Sequence, residues 1–210
     1  MKEIFEKAYG RIYGLSKRIR YHKNISGDGK LNLYQGDYLK LASSAHIHLT
    51  GHFSLGTNRM GNNGRSSILR MDRDSQLLIN GGFQFMYGAD VILFPDAVLS
   101  LGKGSFINSD CKVRCHKEIV IGENCAISHD FTVMDSDAHS LDGDAHTSAV
   151  RIGDHVWIGT RVTVLSGVTI GNGAVIAAGT LVNRDVPAGC LAGGVPVRVL
   201  KEKVTWGDEQ

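Results

Sequence analysis

The chain has 210 residues, of which 42% are hydrophobic, with 23 Lys and Arg against 21 Asp and Glu. This length allows one large domain with a sizeable core, and the net charge of +2 excludes a strongly basic nucleic-acid-binding protein and a highly charged disordered chain. No apolar run approaches the ~20 residues of a membrane span, and the N-terminus lacks a signal-peptide pattern, which predicts a cytoplasmic protein.

Residues 1–24 are predicted to form an amphipathic helix. Within residues 1–23, seven Lys or Arg stand against two Glu, and the apolar residues recur near helical spacing. Two uses are open for such a basic helix. It can cap an otherwise exposed sheet edge, or it can make peripheral contact with an anionic membrane surface.

Residues 25–75 show only weak periodicity and are predicted to form irregular first coils of the domain. This segment contains His46, His48 and His52, which taken alone could form a metal cluster. No acidic or cysteine partner lies near them in the sequence, so we interpret them as exposed residues of an early coil and predict no metal site.

Between residues 76 and 200 the chain repeats with a period of six. From Ile152 it reads IGDHVW IGTRVT VLSGVT IGNGAV IAAGTL VNRDVP. Position one is always aliphatic and β-branched, and comprises Ile152, Ile158, Val164, Ile170, Ile176 and Val182. Position five is small or β-branched, and comprises Val156, Val162, Val168, Ala174, Thr180 and Val186. The same period runs upstream in a looser form, with position one at Ile79, Phe85, Val91, Leu101, Ile107, Val113, Ile121, Ile127 and Val133.

A period of six is neither the 3.6 of a helix nor the 2 of a half-buried strand. It fits a coil of three short flat sides, stacked on the next coil by parallel hydrogen bonding, with positions one and five pointing inward. Position two is then predicted to lie at a tight corner, where Gly tolerates the required backbone. Cys111 and Cys125 occupy position five and are predicted to be core residues, and all four cysteines are predicted to be free thiols.

Apart from short slips near Pro95 and Lys117, the repeat has one long interruption, at residues 135–151. A six-residue side cannot hold the extra residues, so this segment must leave the prism as a loop, and loops on rigid scaffolds often carry function. The segment includes MDSDAHSLDGDAH, which is rich in Asp and contains two histidines, His139 and His146.

The whole pattern resembles the hexapeptide-repeat acyltransferases, and within them the maltose, galactoside and polysaccharide O-acetyltransferases. The resemblance covers about residues 75–200 and implies an all-β fold, a left-handed parallel β-helix. The handedness follows from the resemblance alone, because parallel crossovers are normally right-handed. The predicted fold also has the N-terminal amphipathic helix, a short C-terminal basic segment and a tail at residues 201–210.

In those enzymes, a His just before a Pro/Ser-Leu pair and ahead of a Val-Trp-Ile-Gly coil is the general base, and the matching residue is His139. An imidazole can accept the proton of a sugar hydroxyl as it attacks a thioester. Asp135, Asp137 or a backbone carbonyl could orient its ring, and His129 and His146 are weaker candidates for the base.

Asn108 matches the Phe/Tyr-x-Asn context that contacts the acceptor and the reacting centre in the galactoside enzymes. At position two its side chain is predicted to point outward, where its amide could bind the acceptor hydroxyl or the oxyanion. A turn-capping role is the alternative.

The resemblance also implies a groove for acetyl-CoA and a homotrimer whose sites lie between subunits. Residues at matching donor positions are Trp157 and Thr160 in VWIGT, Ala178 in IAAGT, Asn183 in LVNRD, and Arg198 and Lys201 in the basic C-terminal segment. The two cations would meet the coenzyme A phosphates.

The resulting functional prediction is an acetyl-CoA-dependent O-acetyltransferase acting on a sugar or glycan hydroxyl. Two other readings are open: a non-catalytic solenoid that binds a partner, and a zinc carbonic anhydrase on the same fold. The latter requires a His-x-x-x-x-His pair, whereas successive histidines from His116 to His155 are separated by 13, 10, 7 and 9 residues.

Overall fold

The computed structural model describes residues 20–34, 36–57 and 65–207. The predicted helix over residues 1–24 therefore lies almost wholly outside the described residues. The described residues 21–24 form a turn that is anchored on the first coil, where the Asn24 side-chain amide donates to the carbonyls of Ala42 at 2.9 Å and Ala45 at 2.7 Å. Within the described ranges, no helix has the length and apolar character needed to span a membrane.

The described chain folds into a left-handed parallel β-helix with three sheets. Sheet A contains β1 (Ile25–Ser26), β4 (His46–Leu49), β7 (Gln76–Asn80), β10 (Val98–Gly102), β13 (Glu118–Ile121), β18 (Val150–Ile152) and β21 (Thr169–Ile170). Sheet B contains β2 (Lys30–Leu33), β5 (His52–Thr57), β8 (Phe83–Met86), β11 (Ser105–Ile107), β14 (Ala126–Ile127), β19 (Trp157–Ile158), β22 (Val175–Ile176), β24 (Leu191–Gly193) and β25 (Arg198–Lys201). Sheet C contains β3 (Tyr38–Leu41), β6 (Ile68–Met71), β9 (Asp90–Leu93), β12 (Lys112–Cys115), β15 (Thr132–Met134), β20 (Thr163–Val164) and β23 (Leu181–Val182).

Each coil takes one strand from sheets A, B and C in that order, so the prism has an A/B edge, a B/C edge and a C/A edge. Coil 1 contains β1–β3, coil 2 β4–β6, and so on to coil 5 with β13–β15, after which coil 6 contains β18–β20. Parallel pairing already begins at Ile25, which lies opposite Ile47. The regular coils therefore reach further towards the N-terminus than the six-residue period indicates.

The core is a set of stacked columns of inward side chains, and this confirms the predicted period. One column on sheet B comprises Leu33, Leu55, Phe85, Ile107, Ile127, Ile158, Ile176 and Ala192, all with an exposed fraction of 1% or less. Each residue assigned to position one or five is buried, including Cys111 and Cys125, and all four cysteines are free. Like side chains stack on like, which removes apolar surface from water coil after coil.

The predicted reason for glycine at position two is wrong. The left-handed backbone occurs two residues later, for example at His155, Arg161 and Gly173. At position two, a Cβ on Gly171 would instead lie 2.5 Å from the backbone nitrogen of Ala188. Glycine is required there because the backbones of successive coils approach closely, not because φ is positive.

The solenoid ends with a reversal of direction. β24 pairs in parallel with β22, and β25 then returns antiparallel to β24. The predicted basic segment is therefore an edge strand of sheet B that carries Arg198 and Lys201, both exposed. After it, the described chain runs back along the A/B edge, where the Val204 amide donates to the Gly189 carbonyl at 2.8 Å.

Candidate active site

The interrupting segment is a β-hairpin at the C/A edge, between coils 5 and 6. Its strands are β16 (Ser136–Leu141) and β17 (Asp144–Thr147), which pair only with each other. The strands before and after the hairpin keep their register in the prism. The extra residues therefore project away from its wall. His139 lies on β16 and is exposed, and His146 lies on the opposing strand and is also exposed.

A β-bulge lies directly at the predicted base. Ser136 pairs with Thr147 and Ser140 with Ala145, so three residues of β16 face a single residue of β17. Within the bulge Ala138 has φ 59°, a left-handed conformation that is uncommon for a non-glycine residue. Bulges re-aim side chains and are frequent beside active sites, and this one sets the direction of His139.

The bulge is held by the hydroxyl of Ser136. The Ala138 amide donates to Ser136 Oγ at 3.1 Å, and this Oγ lies 2.8 Å from Thr147 Oγ1. Ser136 is itself buried, with an exposed fraction of 7%. The conformation that precedes His139 is therefore supported by local hydrogen bonds rather than left to solvent.

Asp135 does not orient His139, contrary to one of the sequence-based alternatives. Its side chain is fully buried, and its carboxylate accepts hydrogen bonds from the backbone amides of His116 at 2.6 Å, Lys117 at 2.7 Å and Glu118 at 2.7 Å. These contacts tie the base of the hairpin to the corner of coil 4. Asp137 is exposed on the hairpin, beside His139.

Asn108 lies on the B/C edge of coil 4 and is half-buried. Its Oδ1 accepts a hydrogen bond from the Ser109 amide at 2.8 Å, a turn contact of the kind that the alternative reading predicts. Because Oδ1 is engaged within the turn, the amide orientation leaves the Nδ2 group as the donor that can serve a ligand.

Two of the predicted donor residues share this edge with Asn108. Thr160 lies on coil 6, and its Oγ1 donates to the His129 carbonyl at 3.0 Å. Ala178 follows on coil 7 and is exposed. The B/C edge therefore presents a column of small and polar groups over four coils.

The other predicted donor residues lie elsewhere on the prism. Trp157 faces outward from sheet B with an exposed fraction of 45%, and Asn183 is exposed at the C/A edge of coil 7. His139 and Asn108 therefore lie on different edges, with sheet C between them. A single protomer does not bring the predicted base and the predicted oxyanion donor together.

Comparison with known proteins gives the same repeat. Residues 149–184 match a family profile described as bacterial transferase hexapeptide, six repeats, over the coils in which position one is invariably β-branched. These residues of the chain carry the hexapeptide repeat of that transferase family.

Relatives of this hexapeptide-repeat protein include named acetyltransferases. Galactoside O-acetyltransferase of Escherichia coli K12 is 32% identical over 123 residues, which cover 56% of this chain and 57% of that protein. Polysialic acid O-acetyltransferase of Escherichia coli O1:K1 is 30% identical over 125 residues, covering 56% of this chain and 40% of that protein. The chain thus spans about half the length of these curated relatives.

A solved structure extends the likeness to most of the fold. The crystal structure of the polysialic acid O-acetyltransferase OatWY matches with a TM-score of 0.63 and 24% identity, covering 89% of this chain and 92% of that chain. At this identity the match shows the shared solenoid fold alone.

The N-terminal histidines of the hexapeptide-repeat protein make contacts that the sequence did not reveal. Ser26 Oγ lies 2.7 Å from His46 Nε2 and 2.9 Å from His48 Nδ1, on the outer face of sheet A. His52 is exposed on β5. Among the residues that the structure describes, no group of three or more His, Cys, Asp or Glu side chains is arranged to hold a metal ion.

Sequence reasoning also missed the partner of Trp157. Trp206, from the predicted tail, stacks on His155 with 4.2 Å between ring centroids, and its ring centroid lies 6.1 Å from that of Trp157. The only hint of this contact in the sequence was its composition, since Trp157 and Trp206 are the only two tryptophans in the chain.

Proposed function

We propose that this protein is an acetyl-CoA-dependent O-acetyltransferase that acetylates a hydroxyl of a sugar or polysaccharide precursor. The observation that carries the proposal is the bulged hairpin, which interrupts an otherwise regular prism and presents His139 to solvent. The names of the galactoside and polysialic acid relatives support the reaction type and the acceptor class.

In the proposed reaction, His139 accepts the proton of the acceptor hydroxyl while the hydroxyl oxygen attacks the thioester carbonyl of acetyl-CoA. A neutral imidazole has a free ring nitrogen that can accept this proton. The tetrahedral intermediate then collapses, its C–S bond breaks, and the leaving thiolate receives the proton from the imidazolium. The products are the acetyl ester and free coenzyme A, and no acyl-enzyme forms.

Asn108 would stabilise the oxyanion of that intermediate. Its Oδ1 is held by the Ser109 amide, so its Nδ2 group is the part available to donate a hydrogen bond to developing negative charge. A fixed donor of this kind contributes about 3 kcal/mol to transition-state stabilisation.

The donor would lie along the last coils. Thr160 and Ala178 on the B/C edge leave room for an extended pantetheine arm, and Asn183 lies across sheet C from that edge. Trp157, predicted as a donor residue, lies at the start of β19 beside the A/B edge, away from this arm. Arg198 and Lys201 on the exposed strand β25 would pair with the phosphates of coenzyme A.

A homotrimer would complete the site. His139 and Asn108 lie on different edges of one protomer, so the two side chains can meet only if the C/A edge of one subunit approaches the B/C edge of the next. Closed cyclic symmetry would then build three equivalent sites.

The test of the base compares two histidines of the same hairpin. His139→Ala is expected to lower kcat about 10²–10⁴-fold with little change in the KM for acetyl-CoA, measured by thiol release with a panel of sugars as acceptors. His146→Ala is the matched control and should retain activity. Full activity of His139→Ala would show that the base is assigned to the wrong residue.

The shared site is tested by subunit complementation. His139→Ala and Asn108→Ala proteins are unfolded together, mixed in equal amounts and refolded. If each site takes His139 from one subunit and Asn108 from the next, random trimers regain about one quarter of wild-type sites. Activity no higher than the sum of the two separate variants would place both residues in one protomer's site.

A further inference from the structure

The two tryptophans of the chain lie side by side on the surface of the A/B edge. Trp157 is the first residue of β19, and its side chain is 45% exposed. Trp206 comes from the C-terminal segment, and the two ring planes are inclined by 43° at a centroid distance of 6.1 Å. Exposed large aromatic rings in a cluster mark binding surfaces more often than isolated ones do.

Residues 202–207 are here named the strap. The strap carries Trp206, which is held rigidly against His155. Its indole Nε1 donates to the His155 carbonyl at 2.8 Å, and its own carbonyl lies 3.1 Å from His155 Nε2. The rings of Trp206 and His155 stack at 4.2 Å with an interplanar angle of 7°. Two residues earlier in the strap, the Val204 amide donates a hydrogen bond to the Gly189 carbonyl. A surface fixed in this way loses little conformational entropy when a ligand binds.

His155 occupies a position that is unfavourable for its own backbone. Its φ is 52°, and the equivalent corners of neighbouring coils on this edge carry Gly or Asn with positive φ, at Gly81, Gly104, Asn124, Gly173 and Gly189. A residue with a Cβ costs about 1–2 kcal/mol in this conformation. Such strain tends to be retained at functional sites, and here it provides the ring on which Trp206 stacks.

Exposed carboxylates lie at the A/B corner of the two coils nearest the pair, and exposed Lys103 lies at that corner of coil 4. Glu123 and Asp154 are exposed at the same corner on coils 5 and 6, and the His155 amide donates to the Glu123 carbonyl at 2.7 Å. Glu202 and Lys203 of the strap are both exposed and offset each other. Carboxylates accept hydrogen bonds from hydroxyl groups and repel phosphates and carboxylates.

An apolar ring pair beside exposed carboxylates fits one ligand chemistry in particular. A neutral pyranose has a face of C–H bonds that packs on indole, and its rim hydroxyls can donate to carboxylates. The site also lies on the face of sheet B that ends at the B/C edge, since Thr160 follows Trp157 by three residues.

We propose that Trp157 and Trp206 form a stacking platform for a neutral pyranose ring of the acceptor. This proposal rests on the proposed acetyl transfer and specifies its acceptor, a saccharide without a negative charge at the bound ring. Trp206 would contact the acceptor, and His155 would position Trp206.

The chain offers a direct readout, because both of its tryptophans belong to the platform. Methyl galactopyranoside and methyl glucopyranoside are titrated into the full-length protein while intrinsic tryptophan fluorescence is followed, with a methyl sialoside and coenzyme A as separate arms. We expect a saturable change with a neutral glycoside, in wild type and in His139→Ala alike. A response to coenzyme A or to the sialoside but to neither neutral glycoside would overturn the proposal.

Variants of the strap test the assignment to Trp206. Trp206→Ala should weaken glycoside binding about tenfold and raise the acceptor KM to a similar extent, with the KM for acetyl-CoA unchanged. Trp206→Phe, which keeps the stack on His155, should retain part of the affinity, and Thr205→Ala is the control within the strap. An unchanged acceptor KM in Trp206→Ala would refute the platform.

The two proposals fail in different ways. If the wild type binds neutral glycosides but transfers acetyl to none of them, the proposed reaction is wrong and the platform stands. If acetyl transfer proceeds while no glycoside alters the fluorescence, the platform is wrong and the reaction stands.

Discussion

The carboxylate of Asp135 accepts a 2.6 Å hydrogen bond from the backbone amide of His116, one coil away. Two further amides, those of Lys117 and Glu118, donate to the same side chain. The acid therefore satisfies the corner of coil 4 and fixes the point at which the hairpin leaves coil 5. The buried Asp135 carboxylate, which accepts three backbone hydrogen bonds, is here called the clamp, because it fixes the start of the hairpin that carries His139.

Replacing this clamp should destabilise the protein. Asp135→Asn keeps the shape but places an NH2 group opposite backbone donors, leaving at least one of them unsatisfied. The free energy of unfolding should fall by about 2–4 kcal/mol, measured by urea denaturation. Asp137→Asn, at an exposed neighbouring position, is the control, and an equal small effect in both variants would mean that the clamp contributes nothing.

Close approach of coils predicts a large effect of adding one methyl group at Gly171. Its Cβ would lie 2.5 Å from the Ala188 nitrogen and 2.7 Å from the Ala188 Cα, both backbone atoms that cannot move aside cheaply. Gly171→Ala should lower the free energy of unfolding by about 2–4 kcal/mol. Gly207→Ala, where nothing lies within 4 Å of the added Cβ, should leave thermal stability unchanged. Equal thermal unfolding midpoints for Gly171→Ala and Gly207→Ala would contradict the packing argument.

Burial should make the four cysteines unreactive. It raises the pKa of the Cys111 thiol from an ordinary 9.0 to about 12, and it also raises the pKa values of the Cys115, Cys125 and Cys190 thiols. The thiolate is the reactive form, so a chromogenic disulfide reagent should label none of them in the folded protein at about pH 8. Denaturant should release all four, and labelling of the native protein would refute the burial.

The same raised pKa values set a pH dependence of stability. Above about pH 9 the thiols ionise in the unfolded chain, whereas in the folded chain they stay protonated until the pH approaches the raised pKa. The stabilisation of the folded state by this pKa difference is therefore complete below pH 9.0 and declines as the pH rises towards about 12. Cys111→Ala should lessen the drop in urea midpoint between mildly and strongly alkaline buffer, and an identical drop would argue against this linkage.

Removing the Ser136 hydroxyl should affect turnover more than stability. Ser136→Ala deletes the acceptor of the Ala138 amide and the partner of Thr147 Oγ1, so the bulge that directs His139 loses its support. Because small misplacement of a catalytic group is costly, kcat should fall about tenfold to a hundredfold. Thr147→Ser keeps the hydroxyl pair and should remain active. An unchanged kcat in Ser136→Ala would show that the bulge does not position the base.

The six-residue period was enough to predict the solenoid. Residues at positions one and five, such as Ile152 and Val156, face inward in every coil, so a narrow prism imposes the same demand on each repeat and leaves a regular trace in the sequence. The interruption was visible for the same reason, because a break in a strict period is conspicuous, whereas the choice of His139 within it came from the family resemblance. Coil 1 did not stand out, because Leu33 and Leu39 keep the six-residue spacing over only two sides, which is too short a run to be conspicuous.

The structure decided what depends on contacts between residues far apart in the chain. Asp135, Asp137 and a backbone carbonyl were all candidates for orienting His139 until the Asp135 carboxylate was found against three amides at the corner between coils 4 and 5, 17 to 19 residues away. The stacking of Trp206 on His155 spans 51 residues and has no periodic signal.

The sequence by itself determined the prism, the place where it is interrupted and the residue types at that place, because each of these follows from a local repeat of side-chain size. Only the tertiary structure decided which side chains serve the clamp and which face solvent, that His139 and Asn108 lie on different edges, and that both tryptophans share one surface. Those relationships depend on the direction in which each coil turns and on how neighbouring coils stack, and a six-residue period does not encode them.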